Sequence, residues 1–103
     1  MTALIYCPFP DAETARAVAD TLLTEKLVAC MNLMPAHESI FEWNGERGTG
    51  EERGALFKTD AGILEQAVAR MEELHPYEAP AILGWPCPVA GEATKRWLGG
   101  LSG

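Results

Sequence analysis

Ala3-Leu4-Ile5-Tyr6-Cys7 is a short, nearly continuous apolar run, the pattern of a strand covered on both faces. Pro8-Phe9-Pro10 makes a turn, and Asp11 is suited to cap a helix, with Glu13 complementing the dipole in its first turn. Ala15, Val18, Ala19, Leu22 and Leu23 then recur at i, i+3, i+4, i+7 and i+8, opposite a polar face of Arg16, Asp20, Thr21, Thr24 and Glu25. That spacing predicts an amphipathic helix. Residues 28–34 read as a second strand closed by Pro35. Residues 37–43 extend it by alternation, with Ser39, Phe41 and Trp43 on one side and Glu38, Ile40 and Glu42 on the other. A glycine-rich connection from Asn44-Gly45 to Gly50 suits a hairpin tip, and Glu52–Thr59 returns as a third strand.

Asp60 is placed to cap a second helix with the stripe Leu64, Ala67, Val68, Met71 and Leu74. Pro76 ends it, because a residue before proline is driven out of the α region. Ala81–Trp85 forms a fourth strand, kept short by Pro86 and Pro88, and Thr94–Leu98 makes a last helical turn stopped by Gly99-Gly100. The order is βαββαβ, an α+β, ferredoxin-like sandwich of one four-stranded antiparallel sheet with a long β2–β3 hairpin and a short C-terminal helix. Both helices cover one face of such a sheet. Leu4, Tyr6, Phe41 and Trp43 supply more apolar surface than that layer can cover, so the open face is expected to meet other copies of the chain, with Phe41 and Trp43 at the interface.

At 103 residues, 48% of them hydrophobic, the chain is expected to be a single domain, 1–103. No apolar run approaches the ~20 residues of a membrane span, and Met1–Cys7 lacks the basic region and cleavage site of a signal peptide, so a soluble, cytoplasmic protein without membrane insertion is expected. Cys7, Cys30 and Cys87 are an odd number without a C-x-x-C pair, which argues against a disulfide framework or a one-chain zinc finger. A formal charge of −7 argues against nucleic acid as a partner and favours cations only diffusely.

Chemistry concentrates in few places. The turn after the first strand carries one cysteine where a Cu(I) chaperone needs two thiolates, and Pro8 and Pro10 remove N–H donors that a phosphate cradle requires. No G-x-S-x-G, H-E-x-x-H or P-loop occurs, which leaves little case for an enzyme. His75-Pro76-Tyr77-Glu78-Ala79-Pro80 remains, with an imidazole, a phenol and a carboxylate between two prolines. Two readings are open. One is a polar pocket or a metal site using His75 with Glu78 or Cys7, since imidazole, carboxylate and thiolate all bind Cu(II) or Zn(II). The other is a stiff connector in which His75 caps the helix end and Tyr77 bonds a neighbour. His37 and Glu38 fit a solvated hairpin face, and Met31 and Met34 fit packing.

Ala29-Cys30-Met31-Asn32, Pro35, Ser39-Ile40-Phe41-Glu42-Trp43-Asn44-Gly45, Lys58-Thr59 and His75-Pro76-Tyr77-Glu78-Ala79-Pro80 together resemble the CutA divalent-cation tolerance proteins. Their signature runs A-C-x-N, P, S-x-Y-x-W-x-G, K-T and H-P-Y-E-x-P, and the match covers nearly the whole chain in order. The resemblance implies a cytoplasmic, ferredoxin-like homotrimer akin to the nitrogen-regulatory PII proteins, with a role in divalent metal, particularly copper, tolerance. Some members bind copper through a first-strand cysteine and a histidine near H-P-Y, roles that carry onto Cys7 and His75. Leu74 stands where some relatives have a second histidine, Phe41 where a tyrosine is usual, and Ala81 where an acidic residue is common. The expected reading is a non-enzymatic trimer binding divalent cations, with Cu(II) as the candidate, weakly. The alternative is a PII-like sensor of small molecules with a cleft between subunits that uses Lys58, Tyr77 and Glu78.

Overall fold

The computed structural model describes all residues, 1–103, in the order β1 (Thr2–Phe9), α1 (Ala12–Thr24), β2 (Cys30–Trp43), β3 (Glu46–Asp60), α2 (Leu64–Leu74), β4 (Leu83–Pro86) and α3 (Glu92–Gly99). The strands form one antiparallel sheet in the order β2-β3-β1-β4, consistent with the ferredoxin-like expectation. Asp11 caps α1 as its sequence position suggests, accepting the Thr14 N–H at 2.8 Å. Asp60 caps a short 3₁₀ turn, Ala61–Ile63, that leads into α2.

Alternation sorts the two faces of the sheet except at its Thr2–Asp60 end, where both faces are buried. Ala3, Ile5, Cys7 and Phe9 of β1 and Ala55 and Phe57 of β3 are buried, with Ala15, Val18, Ala19 and Leu22 of α1 and Ala67 and Met71 of α2 closing the core. Leu23, expected in the α1 stripe, is exposed instead. It sits at the edge of the apolar stripe, where α1 has already turned away from the sheet. Leu4 and Tyr6 point to the other face, where their cross-strand partners Trp85 and Leu83 are 41% and 61% exposed. α1 and α2 leave that face open, while α3 packs against β1 and β3 and Ser102 beyond it bonds Asp60.

The largest departure from the expected outline is the hairpin. Pro35 does not close β2. The strand runs through it with a bulge, so that Leu33 pairs with Ala55 and Ala36 with Arg53. The bulge takes the Met34 carbonyl out of the backbone ladder, and Arg53 Nε donates to it at 2.6 Å. One extra residue exchanges the faces of everything downstream. Met31 and Leu33 therefore face the core, whereas His37, Ser39, Phe41 and Trp43 share the side of Glu52. The glycines expected in a loose tip lie in β3, and the turn is only Asn44-Gly45, both at positive φ (54° and 79°). Gly48 belongs in the strand because the Phe41 ring lies across it: a Cβ there would stand 2.8 Å from the ring.

β1 pairs with β3 only as far as Phe9 and Arg53, so the tips of β2 and β3 project as a two-stranded arm. The arm helps stretch the molecule to 43 × 26 × 24 Å. Other boundaries moved less. β4 is Leu83–Pro86 rather than Ala81–Trp85, because the prolines of the preceding connector delay pairing and Pro86 is tolerated at a sheet edge. The last helix begins at Glu92, earlier than Thr94.

Two positive-φ positions yield opposite expectations. Lys26 ends α1 in the left-handed region (φ 59°), with Leu27 N–H bonded to the Leu22 carbonyl and Lys26 N–H to that of Leu23. Lys26→Gly should therefore raise stability, and Gly45→Ala lower it, each by about 1 kcal/mol in denaturant unfolding. Equal midpoints in all three proteins would refute the backbone argument.

Candidate functional site

The connector from α2 to β4 packs beyond the end of β1, and His75 is its anchor. Its ring is buried, stacked on Phe9 with centroids 4.6 Å apart and tilted against Tyr77 at 4.7 Å. His75 Nε2 lies 2.9 Å from the Pro8 carbonyl, which can only accept, so this nitrogen carries the proton. The other nitrogen, Nδ1, then accepts the Tyr77 backbone N–H at 3.1 Å. Tyr77 Oη donates to Glu52 at 2.7 Å, fastening the connector to the base of the arm.

Cys7 and His75, the residues expected as metal ligands, do meet. Cys7 Sγ donates to the same Pro8 carbonyl at 3.5 Å. They meet as proton donors, however. Burial, reinforced by the charge of Glu52, pushes the Cys7 thiol up to about 12, so the thiolate is scarce at neutral pH. Burial also holds His75 below its ordinary value, against the opposing pull of the Pro8 hydrogen bond and Glu52. Burial, followed by the hydrogen bond to Glu52, raises the Tyr77 phenol. No set of three or more His, Cys, Asp or Glu side chains converges as metal ligands within the chain. As arranged, with both donating to the Pro8 carbonyl, Cys7 and His75 do not form a preassembled metal site.

Beside this cluster lies a cleft of about 380 Å³. Phe41 and Trp43 of the arm form one wall, Pro8 and Tyr77 the floor, and Glu52 and Glu78 bring carboxylates. Phe41 and Trp43 are 48% and 53% exposed. Tyr77 and Glu78 are thus in the cleft as the sequence suggested, but Lys58 is not. It pairs with Leu4 and Cys30 near the opposite end of the sheet, on the open face, because its even position in β3 alternates with buried Phe57 and Thr59. Glu52 and the Pro8 carbonyl were not singled out in the sequence. Only the face exchange after Pro35 would have revealed Glu52, by setting it opposite His37 and in line with Ser39.

The family model described as CutA1 divalent ion tolerance protein matches residues 3–100. The chain belongs to this family. It is 39% identical over 95 residues to the divalent-cation tolerance protein CutA of Pyrococcus horikoshii, covering 92% of each chain. It is 33% identical over 98 residues to that of Thermus thermophilus, covering 95% of each. Among solved structures, CutA1 from Pyrococcus horikoshii superposes with a TM-score of 0.88 at 36% identity, covering 98% of each chain. The periplasmic divalent cation tolerance protein CutA of Archaeoglobus fulgidus gives 0.91 at 26% identity, covering 100% of each. These relatives establish the fold and a connection to divalent-cation tolerance.

The buried imidazole sets a pH dependence. Because folding holds His75 below 6.5, the unfolded chain takes up the proton first. Its contribution to stability is complete above about pH 6.5 and is lost as pH falls through the lower folded value. Urea midpoints should drop more between about pH 7.5 and about pH 5.5 in wild type than in His75→Gln. A parallel drop in both would assign the sensitivity to carboxylates. Tyr77→Phe should cost about 1–2 kcal/mol by removing the bond to Glu52, read in the same assay.

Proposed function

We propose that the protein acts in divalent-cation tolerance without catalysing a reaction, as a cytoplasmic homotrimer that binds Cu(II) weakly. The family match over residues 3–100 carries the role. The trimer is supported by Leu83 and Trp85, exposed on the sheet face that α1 and α2 leave open, and by the unpaired outer edge of β2, which together leave apolar surface and backbone donors without partners. Phe41 and Trp43, on the projecting arm, belong to the contact between copies in this reading. Three free thiols suit a reducing compartment.

Cys7 and His75 are the copper ligands of this proposal, and their present bonding supports the expectation of a low affinity. Cys7 must lose its proton, and His75 must release either the Pro8 carbonyl or the Tyr77 N–H. Binding of micromolar strength or weaker, at most about 8 kcal/mol, is expected, weakening further as acid protonates the imidazole.

A second reading is supported by the cleft itself: an effector pocket, as in PII-like sensors, that uses Tyr77 and Glu78 and opens where copies meet. Its volume of about 380 Å³ lies in the range of small-molecule sites.

Sedimentation equilibrium should give a mass near three times 11.2 kDa. A stable monomer at micromolar concentration would overturn the assembly. Calorimetric titration with Cu(II) should show weaker binding for Cys7→Ser and His75→Ala than for wild type. Equal affinity in all three would remove both residues from the metal reading.

A further inference from the structure

We infer that the cleft beside Tyr77 receives a small aliphatic ammonium, a primary amine or polyamine, rather than an anion or a metal ion. The inference rests on the reading of the cleft as an effector pocket, in which Phe41 and Trp43 stay open to a ligand instead of packing between copies. Ten residues line the cleft and none of them is lysine or arginine. Three are glutamates, of which Glu42 already faces Arg47 at 3.4 Å on the exposed arm. Glu52 and Glu78 carry no such ion pair. Glu52 accepts from the Tyr77 phenol, a bond that leaves its negative charge intact and fixes its direction. Lys58, the one cation that would have suited a phosphate, lies elsewhere on the sheet.

The remaining walls are aromatic. Phe41 is held by its contact across Gly48, Trp43 follows it on the same side of β2, and Tyr77 is fixed from both ends by His75 and Glu52. Ring faces attract a cation through their quadrupoles, best when carboxylates flank a partly desolvated site, and they offer an alkyl stem apolar contact. Phosphates would meet two carboxylates and no donor of positive charge. A divalent metal would need several oxygens or nitrogens converging on one point, and the glutamates do not converge in that way. An ammonium on a short chain satisfies both the charges and the rings. It also couples to the His75 anchor, because the same Tyr77 that walls the cleft hangs from His75.

Calorimetric titration of the assembled protein with putrescine and spermidine, against butane-1,4-diol and ATP, tests the inference. The amines should bind, the diol and ATP should not, and affinity should fall with added salt. Glu78→Gln and Glu52→Gln keep size and hydrogen bonding and should each weaken amine binding about threefold or more. Trp43→Ala should weaken it about tenfold. Sedimentation of each variant separates lost binding from lost assembly, and the two glutamine variants carry the test if Trp43→Ala dissociates the protein. ATP binding without amine binding would overturn the ammonium assignment and leave the effector pocket standing. Silence from all four probes would remove both. Amine binding unchanged in the glutamine variants would move the site away from this cleft.

Discussion

Arg53 reaching the Met34 carbonyl is the contact on which the rest of the geometry depends. The bulge around Pro35 leaves the Met34 carbonyl without its backbone ladder partner, and a side chain from the neighbouring strand donates to it at 2.6 Å. The bulge thus stabilised displaces the register by one residue. Everything beyond Ala36 exchanges faces, so the aromatic residues of the arm stand on the side of Glu52 instead of following Met31 and Leu33 toward the helices. Without that shift there would be no aromatic wall opposite Tyr77, and the cleft would be a flat ribbon.

The second fixed point is the Pro8 carbonyl, which accepts from both Cys7 and His75. A carbonyl that gathers two donors at the end of a central strand settles the imidazole tautomer, and that tautomer in turn leaves Nδ1 free to hold the Tyr77 N–H. The connector is therefore ordered by a chain of single hydrogen bonds running from β1 through the imidazole to the phenol and Glu52. Burial at the end of that strand, rather than the chain of bonds, keeps the thiol protonated and makes the imidazole reluctant to take up a proton.

Much of this was legible in the residues. The stripe Ala15, Val18, Ala19 and Leu22, the Asp11 cap and the alternation Ala3, Ile5, Cys7 report burial directly, because each has a fixed period against one surface. His75, Tyr77 and Glu78 stood out by their confinement between prolines. What escaped was set by contacts distant in sequence. The strand character of Gly48 and Gly50 depends on an aromatic ring from the facing strand, and local turn chemistry pointed the other way. The place of Lys58 away from the cleft, and of Glu52 within it, follows from register, which composition does not encode. Leu23 failed for a simpler reason: an apolar residue at the margin of a stripe meets the core only if the helix is rotated to favour it.

The outer edge of β2 has a consequence for how the molecule must be handled by the cell. Along Cys30–Trp43 the strand offers backbone groups to solvent, and the arm holds Ile40, Phe41 and Trp43 in the open. Lysine, the commonest guard of such an edge, is absent from this strand, which relies on Pro35, its bulge and the charges of Glu38 and Glu42. A freshly made copy is thus a sticky template until its edge is occupied, and the yield of soluble protein becomes a race between ordered docking and indiscriminate strand addition. Dilution would slow both, and slow expression or co-translational encounter would favour the ordered route.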